Sequence, residues 1–219
     1  MKLPLFENGK ARDYELAPSK IVAVGVNYRG HAKEMGKEPP DEPVIFMKPP
    51  SALLPSGGTI LLPGGYERID FEGELAFVFG KRARRVSEKD ALSYVLGYIC
   101  LNDVSCRDLQ KKDGQWIRAK GFDTFCPVGP RIVAGLDPAS LRITTRVNGE
   151  VRQSSSTSDL VFGVASLIHR LSHVMTFEPG DLLTTGTPPG VGPLKPGDRV
   201  AVEIEGIGVL ENSVAAAGE

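Results

Sequence analysis

The chain has 219 residues, of which 41% are hydrophobic and 24% are charged. These values fit one globular domain large enough to bury a sizeable core. A net charge of −1 gives no indication of a nucleic-acid or anionic-membrane partner. No apolar stretch approaches the roughly 18 residues that a membrane span requires. The three cysteines lack the spacing of a zinc site or a disulfide framework, so we expect a cytoplasmic protein with buried, inert thiols.

Glycine and proline interrupt many short apolar runs, which favours a strand-rich fold. The predicted strands, in chain order, are Ile21–Gly25, Val44–Lys48, Glu72–Gly80, Val95–Leu101, Leu141–Val147, Glu150–Gln153, Asp181–Thr185 and Arg199–Ile204. Helices are fewer, and we predict them over Ser87–Ser93 and, from apolar residues at helical spacing, Leu160–Met175. We interpret the histidine pair on the second helix, His169 and His173, as a surface or boundary pair.

Three carboxylates form the most informative pattern. Glu72 and Glu74 alternate with large apolar residues, so both side chains point to one face of a strand. At ~4 Å their repulsion is about 1 kcal/mol in water and roughly 4 kcal/mol at a protein-like dielectric, so a bound cation would stabilise the pair. Asp103 follows the next apolar run. Oxygen ligands favour Mg2+, Mn2+ or Ca2+ over zinc. From spacing alone, an exposed acidic strand end is the alternative, and it stays open.

A second pattern pairs an imidazole with a carboxylate. His31 and Glu34 are three residues apart in a short helical segment after the first strand, where their side chains can meet. Such a pair suits a general base, although an ordinary surface pair has the same spacing. Lys48 and Lys120 are single lysines on apolar stretches, a pattern more typical of the outer surface. A glycine- and proline-rich loop around Thr187 could present backbone N–H groups to an anion.

In this order, the motifs resemble the fumarylacetoacetate hydrolase family. The matching segments are VGVNY (24–28), HAKEM (31–35), FMKP (46–49), DFEGELA (70–76), NDVSCRD (102–108), FDTFCP (122–127) and LTTGTPPGVG (183–192). The resemblance implies an α+β fold, a mixed β-roll with a few peripheral helices. It divides the chain into a short N-terminal extension (1–20) and a single catalytic domain (21–219). It also implies a homodimer.

The resemblance further implies a role for each matched residue. Glu72, Glu74 and Asp103 would hold Mg2+ or Mn2+, which binds a 2-oxo acid and stabilises developing enolate charge as a Lewis acid. Lys120 would add positive charge beside the enolate, while His31 and Glu34 would activate a water molecule. The expected substrate-binding residues are Arg107, Gln110, Thr187, Asn27 and Lys48.

The resulting hypothesis is a divalent-metal-dependent enzyme acting on small 2-oxo or 2,4-dioxo acids. Hydrolysis of a C–C bond in an acylpyruvate comes first among the expected reactions. The alternatives are oxaloacetate decarboxylation or tautomerisation, and 2-hydroxyhepta-2,4-diene-1,7-dioate isomerisation or decarboxylation. A non-catalytic metal- or ligand-binding scaffold is disfavoured because the three carboxylates and Lys120 are all present. The loops expected beyond the 2-oxo end carry no diagnostic charge pattern, which leaves the distal half of the substrate open.

Overall fold

The computed structural model describes residues 1–218, and their secondary structure is dominated by short strands. The strands are β1 Lys2–Glu7, β2 Lys10–Glu15, β3 Ile21–Gly25, β4 Val44–Lys48, β5 Leu53–Pro55, β6 Thr59–Leu62, β7 Ile69–Phe71, β8 Gly73–Phe79, β9 Val95–Asn102, β10 Ser105–Cys106, β11 Cys126–Val133, β12 Arg142–Val147, β13 Glu150–Ser156, β14 Leu182–Thr184, β15 Gly192–Pro193, β16 Arg199–Ile204 and β17 Gly208–Ala216. The α-helices are α1 Arg29–Glu34, α2 Arg107–Lys112, α3 Ile117–Lys120 and α4 Val164–Val174. Three 3-10 helices cover Pro50–Ala52, Glu88–Tyr94 and Thr157–Asp159.

The strands form three sheets, of which the two larger are mixed and the smallest is antiparallel. The largest runs in the order β2-β1-β11-β9-β8-β14-β3-β4, with β5 pairing alongside β11. A second sheet has the order β13-β12-β16-β17-β6, and a small third sheet the order β10-β7-β15. This α+β architecture with few helices confirms the predicted fold class.

The core lies on both faces of the largest sheet. On one face, Leu75, Phe77 and Phe79 of β8 pack into a cluster that includes residues of α4 and of the five-stranded sheet. On the other face, Ala76 and Val78 join a cluster with residues of β1, β9 and β11. The period-2 alternation of β8 therefore sends side chains into two separate apolar layers, which fixes the register of this strand.

The predicted strands are confirmed, and those over β3, β4 and β16 have the predicted bounds. The helix predicted over Leu160–Met175 is wrong in its first turn, because α4 begins at Val164. The backbone N–H groups of Val161 and Phe162 donate instead to the main-chain and side-chain oxygens of Asn27. Leu160 and the N-cap residue Gly163 have extended backbone conformations, so the segment before Val164 lies outside the helix. The segment Ser87–Ser93 is helical but of the 3-10 type.

The first residues of the chain belong to the largest sheet. Strands β1 and β2 form a hairpin, and β1 pairs in parallel with β11. The turn that follows is fixed by buried Asp181, whose Oδ1 accepts from the N–H and hydroxyl of Ser19 at 2.9 and 2.7 Å. Lys20 completes this contact with an ion pair to the same carboxylate. The predicted extension over residues 1–20 thus packs as part of the sheet, and the domain boundary itself stays a prediction.

No helix among residues 1–218 is long and apolar enough to cross a membrane.

Candidate active site

The three predicted metal ligands meet where the chain passes between two sheets. Glu72 is the residue between β7 and β8, so the chain leaves the small sheet and enters the large one on either side of it. Glu74 lies in β8, and Asp103 directly follows the neighbouring strand β9. Asn102 joins the two segments, because its Oδ1 accepts a hydrogen bond of 2.9 Å from the N–H of Glu72. One ligand oxygen of each carboxylate lies within 4.8 Å of the other two, and all three residues are buried.

Buried cations contact two of these carboxylates directly. Lys120 Nζ lies 2.8 Å from Glu72 Oε2 and 2.6 Å from Asp103 Oδ2. Lys48 Nζ lies 2.6 Å from Asp103 Oδ1, and Arg107 binds the second oxygen of Glu72. Glu74 has no such partner among residues 1–218, and its Oε2 accepts only the N–H of Gly186 at 3.0 Å.

The pKa values of the two glutamates move in opposite directions for this reason. Burial alone would raise the pKa of Glu72, but Lys120 and Arg107 outweigh burial and lower it. Burial, Asp103 and Glu72 raise the pKa of Glu74 well above its usual value. Burial would lower the pKa of Lys120, yet Asp103 and Glu72 raise it and keep the ammonium charged.

This arrangement fits a divalent cation. Glu74 is a buried carboxylate without an ion-pair partner, beside two others that carry negative charge. Such a site requires a further positive group beside Glu74, because burying an unpaired carboxylate is costly. Hard cations bind carboxylate oxygens at about 2.0–2.6 Å, so one ion can reach all three residues with small side-chain movements. The residues present therefore suit Mg2+ or Mn2+, and no zinc-type sulfur or imidazole ligand belongs to the group.

His31 and Glu34 meet as predicted on α1. His31 Nδ1 lies 3.0 Å from Glu34 Oε2, and Glu34 also accepts a hydrogen bond of 3.1 Å from the N–H of Gly190. The imidazole is buried and lines the same cavity as Glu72 and Glu74. Between β3 and α1 the chain turns at Val26, whose φ of 55° is an unfavourable value for a β-branched residue. Since Val26 lines the cavity as well, this strained turn lies at the site itself.

The loop after β14 forms another wall of the cavity. Thr187 lines the cavity, and its hydroxyl bonds the carbonyl of Gly73 at 2.9 Å. Gln153 of β13 connects the same two segments, because it accepts from the N–H of Gly73 and donates to Thr187 Oγ1, at 3.0 and 2.8 Å. At Gly190 only glycine fits, since φ is +97° and a Cβ would lie 2.1 Å from the carbonyl oxygen of Arg152. The hydrogen bonds of the loop among residues 1–218 engage the N–H groups of Thr185, Gly186 and Gly190, and none engages that of Thr187.

The cavity has a volume of about 400 Å³, within the range of small-molecule sites. It brings together most of the residues predicted from the sequence: His31, Glu72, Glu74, Arg107, Gln110, Lys120 and Thr187. Gln110 supports Arg107 directly, with a hydrogen bond of 2.6 Å from the guanidinium to Oε1.

Two predicted substrate contacts are corrected by the structure. Asn27 is fully buried outside the cavity lining, and its amide bonds the backbone of Phe162 and Thr185. Lys48 is also buried away from the cavity, where its ammonium bonds Asp103 and two backbone carbonyls. Asn27 therefore holds backbone segments next to the site, and Lys48 holds Asp103, without lining the cavity themselves. The surface location that spacing suggested for Lys48 and Lys120 is wrong, because both side chains are buried.

Sequence reasoning missed three residues that organise the site. Asp70 is buried and accepts hydrogen bonds from Arg107 and from Arg68, each at 2.8 Å. This chain of charges, from Arg68 through Asp70 and Arg107 to Glu72, fixes the orientation of one predicted metal ligand. The missed residues are thus Asp70, Arg68 and Gln153. Asp70 belongs to the same sequence motif as Glu72, a signal that could have identified it, whereas nothing in the local pattern of β13 distinguishes Gln153.

The remaining histidines and the cysteines lie outside this site. His169 and His173 contact each other on α4, with ring centroids 4.8 Å apart, and neither belongs to the carboxylate group. All three cysteines are buried, as predicted. Burial raises the pKa of the Cys100 and Cys126 thiols to about 12, which keeps them protonated and unreactive at neutral pH.

Comparison with known proteins defines the class. Residues 20–215 match the family model described as fumarylacetoacetate (FAA) hydrolase C-terminal, and the chain belongs to this family of enzymes. Human mitochondrial oxaloacetate tautomerase FAHD2B is 45% identical over 209 residues, which cover 90% of this chain and 67% of that protein.

Two solved structures are similar over nearly the whole chain. One is a 5-carboxymethyl-2-hydroxymuconate delta-isomerase from Mycobacterium smegmatis, with 47% identity, a TM-score of 0.87, and coverage of 96% of this chain and 87% of that chain. The other is a fumarylpyruvate hydrolase from Pseudomonas aeruginosa in complex with Mn2+ and pyruvate, with 31% identity, a TM-score of 0.87, and coverage of 99% and 97%.

Proposed function

We propose that this protein is a Mg2+- or Mn2+-dependent enzyme that moves a proton between C3 and the 2-keto oxygen of a small 2-oxo acid, a keto–enol tautomerisation. The observation that carries the proposal is that His31 lines the same cavity as Glu72 and Glu74, whose carboxylate group Asp103 completes from behind the cavity lining. Proton transfer next to a carbonyl needs a base and a centre of positive charge in one water-poor site. The similarity to an oxaloacetate tautomerase and to a muconate isomerase supports the same reaction class.

Each residue has a distinct task in this scheme. A divalent cation held by the three carboxylates would supply Lewis-acid polarisation of the 2-keto group. Lys120 keeps its positive charge at the same place, so it stabilises negative charge that develops on the substrate oxygen. The N–H of Thr187 is available to the substrate carboxylate, while Arg107, held by Asp70, Glu72 and Gln110, lines the same cavity.

His31 is the base. Its Nδ1 is engaged by Glu34, which leaves Nε2 without a hydrogen-bond partner within residues 1–218. The carboxylate fixes the orientation of the ring. Because Gly190 donates to Glu34, the loop that carries Thr187 and the helix that carries the base are held together.

Hydrolysis of a C–C bond in an acylpyruvate is the second candidate. The pairing of His31 with Glu34 favours it, since the same base can remove a proton from a water molecule that attacks the distal carbonyl. The similarity to a fumarylpyruvate hydrolase supports this candidate at lower identity. Both reactions share the 2-oxo end of the substrate and differ in whether water enters.

A substrate panel tests the proposal. The purified protein is assayed with Mg2+ or Mn2+ for loss of the enol absorbance of oxaloacetate and for cleavage of acetylpyruvate and fumarylpyruvate, then again after chelation. Tautomerisation should exceed cleavage in kcat/KM, and both should stop with chelator. Rates that chelation leaves unchanged would show that the metal has no part in the reaction, and faster cleavage would favour the hydrolase.

Substitution of the base gives a second test. His31→Ala should lower kcat by about 10²–10⁴-fold, while Mn2+ affinity measured by calorimetry stays unchanged because His31 is not a ligand. His169→Ala is the matched control, since His169 lies outside the cavity. Full activity of His31→Ala would remove the residue from the mechanism. The homodimer implied by the resemblance stays a prediction, and light scattering on the purified chain measures it.

A further inference from the structure

The charges of the cavity are sorted by depth. Its carboxylates, those of Asp70, Glu72 and Glu74, are all buried. The charged residues that line it at the exposed mouth are all positive: Lys37, Arg68 and Lys111. They come from three separate segments, the loop after α1, the turn before β7 and the last turn of α2. The mouth thus has one sign of charge although the whole protein is close to neutral.

Protein groups leave most of this positive charge available. Lys37 and Lys111 have no ion-pair partner within residues 1–218. Arg68 uses Nε and one terminal nitrogen on Asp70, which leaves its other terminal nitrogen for a ligand.

Three acidic residues near the mouth are engaged by other groups. Glu34 binds His31 and the N–H of Gly190, and Asp113 at the end of α2 forms an ion pair of 2.6 Å with Arg118. Asp108 accepts the backbone N–H of Arg68. Glu38 and Glu67 are exposed and do not line the cavity. Lys37 and Lys111 therefore keep their charge free of a carboxylate at ion-pair distance within residues 1–218.

We infer that Lys37, Arg68 and Lys111 form a subsite for a second carboxylate, so that the substrate is a 2-oxo dicarboxylic acid. This inference rests on the proposed function, in which the 2-oxo end of the substrate occupies the buried floor. The distal end then extends toward the mouth, where a carboxylate meets guanidinium and ammonium donors. A neutral acyl end would leave the same cations without a partner.

Binding of two stable acids with the same five-carbon chain tests the inference. 2-Oxoglutarate has a second carboxylate, and 2-oxovalerate has a methyl group at that position. Calorimetry on the Mn2+-loaded protein should show that 2-oxoglutarate binds about tenfold more tightly, because each partly exposed lysine contributes about two- to fivefold. The double variant Lys37→Gln, Lys111→Gln should lose most of this preference and bind 2-oxovalerate as the wild type does.

The neighbouring lysine is the control. Lys112 is exposed on the same helix but does not line the cavity, so Lys112→Gln removes the same charge as Lys111→Gln alone and should keep the preference. A wild-type protein without preference, equal losses for both acids, or the same loss in Lys112→Gln would each overturn the subsite. Binding of 2-oxovalerate that disappears with chelator supports the metal-dependent 2-oxo site independently of these results. The experiment therefore distinguishes the absence of a metal-dependent 2-oxo site from the absence of a subsite for the second carboxylate.

Discussion

Glu72 and Glu74 are neighbouring candidate ligands of the metal, yet their substitution by glutamine should affect the free energy of unfolding differently. Glu74→Gln keeps the shape of the side chain and removes a charge whose repulsion from each neighbouring carboxylate, at 4.8 Å or less, is about 3 kcal/mol for an effective dielectric near 20. Attraction to Lys120 and the raised pKa of Glu74 relieve part of this repulsion. Without metal, the variant should therefore be between equally stable and about 3 kcal/mol more stable than the wild type.

Glu72→Gln should instead destabilise the protein, because it leaves Lys120 and Arg107 short of a buried partner. Breaking a buried ion pair in this way costs about 3–5 kcal/mol, which is roughly 6–20 °C in Tm for a chain of this size.

Thermal unfolding with and without Mn2+ measures both effects. At a metal concentration 100 times the Kd, binding adds about 2.7 kcal/mol to wild-type stability, or roughly 5–11 °C. In chelator, Glu74→Gln should melt at or above the wild type and Glu72→Gln well below it, and neither variant should show the metal-dependent rise. A Glu74→Gln protein that melts lower than the wild type in chelator, or that keeps the full rise with Mn2+, would refute this account of the site.

Three further substitutions test how the site is supported. Asp181→Asn should lower the free energy of unfolding by about 2–4 kcal/mol at pH 7. Burial alone would raise the pKa of Asp181, but its hydrogen bonds lower it, so the wild-type advantage should be present above about pH 4 and vanish as pH falls through the lowered pKa, which urea unfolding at several pH values measures. Gly73→Ala should unfold more easily, because its Cβ would lie 2.1 Å from Thr145 Oγ1, and circular dichroism melting checks this. Lys48→Met should weaken Mn2+ binding in calorimetry, because Lys48 orients Asp103 from outside the cavity lining.

The strands could be predicted because their apolar patterns are local. The run Ile21–Gly25 is buried along its length, and Val44–Lys48 pairs with it residue for residue. Turn residues bound both segments in the sequence, so neither needed tertiary information. The false first turn of the helix after residue 160 has the opposite cause. Its apolar spacing is helical, but Leu160 and Gly163 have extended backbone conformations, and Asn27, far away in the chain, binds the N–H groups of the two residues between them.

The candidate metal ligands were predictable for a similar reason. Glu72 and Glu74 share one motif, Asp103 follows the next apolar run, and the resemblance connected the three. Burial of the lysines was not predictable from spacing, because an ammonium among apolar residues is stable inside the protein only where carboxylates from other segments surround it. Lys120 satisfies this condition through Glu72 and Asp103, and Lys48 through Asp103 and two carbonyls.

The positive charge at the mouth of the cavity depends on the three-dimensional structure and could not be predicted from the sequence. Lys37, Arg68 and Lys111 lie in unrelated segments, each of which also contains acidic residues, so the sequence gives no indication that these three cations meet. In the fold, buried Asp70 is the only acidic residue of these segments that lines the cavity within residues 1–218, and Glu34, Asp108 and Asp113 pair with His31, a backbone N–H group and Arg118. The selection for a second carboxylate is thus a property of which charges the fold leaves unpaired. For this reason a relative with the same floor but a neutral mouth should accept 2-oxo monoacids as readily as diacids, and exchanging only Lys37 and Lys111 should move this protein toward that behaviour.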